Sequence, residues 1–112
     1  MSDIQTIFGL IGRQVIEPQY VDVKLLHDET AWWRARTRGV VTDIRLVKRE
    51  LAACRCLIQR RQLTAQLVGH KVVFTSFFGI YRQTRRVAWE MHDLYLANLE
   101  RRAYKVLTEN VA

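Results

Sequence analysis

Apolar residues recur along this chain with a helical beat. Ile4, Ile7, Phe8, Ile11 and Val15 step by three and four, which predicts a short N-terminal amphipathic helix over residues 1–17. Ser2 and Gln5 fit a capping box at its start. Pro18 ends it, because the residue before a proline is pushed out of the α region. Residues 18–28 read as a connector or a short helical turn. Val21, Val23 and Leu25 alternate there with Asp22 and Lys24 as in a strand, but a lone strand would have no partner.

A long helix is expected over residues 28–68, with Asp28 as its N-cap. Gly69 suits the left-handed position that closes a helix, and a second long helix is expected over residues 71–107. On the first helix Trp33, Val40, Ile44, Val47, Leu51, Cys54 and Ile58 form a heptad seam. Phe77, Ile80, Val87, Met91 and Leu94 keep the same beat on the second, with Thr84 in one slot. A reversal at Gly69 sets Ile58 against Ile80, Leu51 against Val87, Val47 against Met91 and Ile44 against Leu94. The expected fold is therefore all-α: a long antiparallel helix hairpin, with residues 1–112 as one helical domain. Its more apolar flank carries Val41, Phe74, Tyr81 and Tyr95. The N-terminal helix would cover that flank in a three-helix arrangement, or a second copy would cover it in a dimeric helical bundle.

Composition narrows the class further. Five Gly and one Pro in 112 residues leave few places to turn, which disfavours an all-β fold. Cys54 and Cys56 lie two apart, so on a helix they point roughly 200° away from each other and cannot share a metal. With no basic n-region of a secretion signal and no long apolar run, a cytoplasmic location is expected. Gly39 and Gly79 interrupt good helices, which suggests a close helix approach or a bend.

Nothing in the pattern asks to be an active site. His27, His70 and His92 fall far apart in the expected hairpin, and no phosphate loop or metal-ligand motif is present. The chain reads as non-enzymatic, with no cofactor and no metal. Charge is more informative. The formal net charge is +7, and 14 of the 18 basic residues are Arg, which favours an acidic partner. Two basic zones follow from the expected register: Arg34, Arg36 and Arg38 level with Arg101, Arg102 and Lys105, and Arg55, Arg60 and Arg61 level with Arg82, Arg85 and Arg86. These would suit phosphates of DNA or RNA.

The large apolar residues off the seam favour a different partner. Phe78, Trp89 and Leu96 fall on the outer face of the second helix, interleaved with Arg82, Arg85 and Arg86; Trp32 and Leu46 fall on the outer face of the first. Trp, Phe and Arg are the types enriched at interface cores. The leading expectation is thus a larger protein partner, bound through this Trp/Arg-rich face by an adaptor, assembly factor, regulator or inhibitor. Nucleic acid is the alternative, and a homo-oligomer, a dimer, is expected unless the N-terminal helix covers the apolar flank.

Overall fold

A computed structural model describes residues 17–109, so the expected N-terminal helix and its capping box lie outside the described residues. Two helices follow, α1 over Tyr20–Ala53 and α2 over Leu57–Glu109. The molecule is an all-helical hairpin, and no strand occurs among the described residues.

α1 begins at Tyr20, one residue beyond the Pro18–Gln19 junction. The Gln19 backbone N–H donates to Asp22 Oδ2 at 2.9 Å, while the Gln19 carbonyl accepts from the N–H groups of Asp22 and Val23. This is one arm of a capping box, and the Asp22 charge also favours the positive end of the helix dipole. The segment expected as a connector is therefore helical from Tyr20 onward. Its strand-like alternation is incidental: Val23 and Leu26, three apart, are buried, whereas Val21 is exposed. Both belong to the stripe that continues through Trp33, Val40 and Val47.

The chain reverses at Cys54–Cys56, not at Gly69. The last carbonyls of a helix need partners, and here the Arg60 guanidinium supplies them. Its Nη1 donates to the Leu51 carbonyl at 3.1 Å and to the Cys54 carbonyl at 3.0 Å. The Cys54 thiol donates to Gln59 Oε1 at 3.4 Å, and the Arg60 N–H donates to the Cys56 carbonyl at 2.9 Å, opening α2. The expected helix limits, 28–68 and 71–107, are corrected accordingly. Gly69 lies inside α2, and beyond its chain neighbours and the surrounding helix backbone nothing comes within 4 Å of where its Cβ would be. A glycine in a helix interior costs only about 1 kcal/mol relative to alanine, too little to force a turn. Gly39 and Gly79 are equally open, so no close approach explains them.

Both expected seams face inward. Trp33, Val40 and Val47 are buried on α1, and Ile44, Leu51 and Cys54 are half-buried; on α2 Thr84 and Val87 are buried, and Phe77, Ile80, Met91 and Leu94 half-buried. Ile58 is the exception, 69 % exposed just after the reversal, so it does not face Ile80. Leu51 lies beside Arg60 rather than Val87, and Val87 and Met91 pack with Leu26.

The described residues group into two compact units, Ala31–Arg82 and a unit built from both ends of the described chain, which joins residues 17–30 with residues 83–109. In the chain-end unit Leu26 and Ala88 are fully buried and pack with Val87, Leu25 and Met91. Tyr20 meets Tyr95 at a ring distance of 6.4 Å, and Glu17 pairs with Arg102 at 3.3 Å. Rising numbers on one segment thus meet falling numbers on the other, so they are antiparallel. In Ala31–Arg82, Trp33 stands edge-on to Phe77 at 5.5 Å. Val40, Val47 and Leu63 are buried there, and Thr37 is buried with its hydroxyl donating to the Trp33 carbonyl at 2.8 Å. Burying a side chain of Leu or Val size stabilises by about 1.5–3 kcal/mol.

Candidate partner-binding surfaces

In Ala31–Arg82 the two helices leave an open groove of about 260 Å³. Arg34, Thr37, Arg38 and Val41 line it from α1; Phe74, Phe78 and Tyr81 line it from α2. These are one-turn spacings, which keep each set on one side of its helix. Phe74 and Phe78 stack nearly parallel, 5.5 Å apart at 9°, and Phe78 leans on Tyr81 at 6.4 Å. The Arg82 guanidinium lies 5.8 Å from the Phe78 ring centre. Arg36 sits 4.6 Å above the Trp32 ring and 5.8 Å from Phe77. Cations over aromatic faces of this kind contribute about 0.5–1 kcal/mol at exposed sites.

This unit holds most of the molecule's charge. Eleven Lys and Arg residues face only two carboxylates, Asp43 and Glu50, a formal +9. The described residues of the chain-end unit include six basic and eight acidic ones, a formal −2.

The expected basic zones are not assembled as the sequence reading placed them. With Trp33 beside Phe77, the neighbours of Arg34 and Arg38 on α2 are Phe74, Phe78 and Tyr81, whereas Arg102 pairs with Glu17. Arg101 is exposed. Arg55 lies in the reversal, Arg60 caps α1, and Arg61 is exposed on the first turns of α2. Arg86 forms an exposed pair with Glu90 at 3.8 Å, worth little on its own.

The Trp/Arg-rich set divides between the units. Phe78 and Arg82 belong to Ala31–Arg82; Arg85, Arg86, Trp89 and Leu96 belong to the chain-end unit. All six are exposed, Trp89 by half. The Trp89 ring meets His27 edge-on at 5.1 Å and His92 at 5.2 Å. His27 and His92, expected far apart, in fact meet: His27 Nε2 and His92 Nδ1 share a hydrogen bond at 3.3 Å. One ring must donate and the other accept, so the two tautomers are linked. Placing the reversal at Gly69 separated these histidines, and also split the groove residues Thr37 and Val41 from Phe74 and Tyr81.

Among the described residues no group of three or more His, Cys, Asp or Glu gathers as a metal site, and no helix is long and apolar enough to cross a membrane. No family model matches the chain, nor does any curated protein or solved structure.

Proposed function

We propose that this chain is a non-enzymatic helical protein that docks onto a larger protein, as an adaptor, assembly factor, regulator or inhibitor. The observation that carries the reading is the half-exposed Trp89, set on the two histidines with Arg85, Arg86 and Leu96 on the same helix. An indole braced by neighbours loses little freedom on binding, and Trp and Arg dominate interface hot spots. Phe78 with Arg82 offers a similar pairing in the other unit. The test is a Trp89→Ala/Arg85→Ala double variant, checked for helicity and used in capture from the native host with nuclease treatment. Loss of a captured protein with the fold intact supports the reading; undiminished capture removes it.

A second reading, binding to DNA or RNA through the arginines of Ala31–Arg82, draws on that unit's +9 charge. Titration against duplex DNA and structured RNA at two salt concentrations decides it, because a phosphate binder loses affinity steeply as salt rises.

A further inference from the structure

We propose that the groove of Ala31–Arg82 seats an acidic amphipathic helix of the partner protein. This rests on the protein-docking reading above and names the chemistry of the docked segment. The floor is apolar: Val41, Phe74 and Tyr81 line it, and the Thr37 hydroxyl already donates to a carbonyl of its own helix. At about 260 Å³ the space lies below the range of about 300–1,000 Å³ usual for small-molecule and cofactor sites. It suits one or two apolar side chains.

The rim is cationic. Arg34 and Arg38 stand one turn apart on α1, both exposed, and neither forms an ion pair among the described residues. Two carboxylates one turn apart on an approaching helix have the same rise, about 6 Å. The charge of the unit selects the same occupant. Its only acids are Asp43 and Glu50, so an approaching anionic helix meets a field of one sign. A second copy of this surface would instead bring +9 against +9. The chain's own residues 1–16 hold one acid, Asp3, and one base, Arg13, so charge does not recruit them.

Nucleic acid fits the groove less well. A base needs an open ring face to stack on. Phe78 has Phe74 stacked on it and Arg82 within 5.8 Å of its ring centre, and Phe74 gives one of its faces to Phe78.

The test uses the full chain and a fluorescent peptide of three heptads, with Leu at the a and d positions and Glu at the flanking ones. A Lys-for-Glu peptide and single- and double-stranded oligonucleotides serve as comparison probes. The acidic peptide is expected to bind, and Arg34→Glu/Arg38→Glu to weaken it by about tenfold or more. The same change of charge at Arg49 and Arg61, exposed and about half a turn from the buried Val47 and Leu63, is expected to weaken it by less than about threefold. Both double variants alter exposed residues, and circular dichroism verifies that each stays helical.

Three results would overturn the proposal: no binding of the acidic peptide at low salt, equal weakening by the two double variants, or oligonucleotide binding that is tighter than peptide binding and sensitive to Arg34→Glu/Arg38→Glu. Failure of the groove alone is told apart from failure of the docking reading by the Trp89→Ala/Arg85→Ala capture. Those residues lie outside the groove, and capture that still depends on them keeps the broader reading while removing this one.

Discussion

The unit formed by the chain ends and the unit Ala31–Arg82 are cut from the same two helices, yet they differ in kind. The first closes around Leu26 and Ala88, both fully buried, and its charges nearly cancel. In the second no side chain is fully buried, and the Trp33 indole N–H is buried without an acceptor. Leaving such a group unpaired costs about 1–3 kcal/mol. Ala31–Arg82 also crowds like charges that must repel across a short distance. One unit closes more tightly on its core, and still leaves Trp89 half exposed; the other is the more cationic and holds the open aromatic groove.

The comparison can be broken most sharply at Leu26. Leu26→Ala should cost roughly 2–5 kcal/mol, because the site is closed and a cavity remains, whereas exposed Leu46→Ala should stay within about 0.5 kcal/mol. Urea denaturation measures both, and equal effects would deny the chain-end unit its tighter core. Next in size is Arg60→Gln, which removes the guanidinium donor from the Leu51 and Cys54 carbonyls and leaves Leu51 only the Cys54 N–H at 3.3 Å. A loss of about 1 kcal/mol is expected for so exposed a contact, against almost none for Arg61→Gln. His92→Ala should cost about 0.5–1.5 kcal/mol and move the His27 ring resonances in proton NMR. Unmoved resonances would mean that the two rings do not touch in solution. The smallest effect has the opposite sign: Gly69→Ala and Gly79→Ala should each raise stability by roughly 0.5–1 kcal/mol. A loss at Gly69 would restore it as a turn.

Helical class and the inward stripes were legible because a heptad pattern is a local, repeated signal. Trp33, Val40, Val47, Phe77 and Val87 could each be assigned to the seam from spacing alone. Register was not legible, and the reason is physical. One heptad resembles the next, so a seam can zip in several offsets with comparable apolar layers. The offset is set by the reversal, and the reversal here is capped by side chains, the Arg60 guanidinium folding back onto carbonyls six and nine residues earlier and the Cys54 thiol bonding Gln59. Gly69 carried the stronger textual signal and the weaker physical one. Every error in the candidate surfaces descends from that choice. Arg34 and Arg38 were paired with Arg101 and Arg102 instead of Phe74 and Phe78, and His27 was separated from His92. Trp89 and Phe78 were recognisable as off-seam residues because that assignment needs only their own helix.

Residues 54–56 contain neither glycine nor proline, and all three can extend a helix. A bend held by hydrogen bonds, the two from the Arg60 guanidinium among them, can be undone without breaking anything covalent. Two molecules that straightened there could trade halves, each long rod completing the other's seams with the contacts it had already made alone. The Arg60→Gln protein is thus the one whose mass in solution should double as its concentration rises.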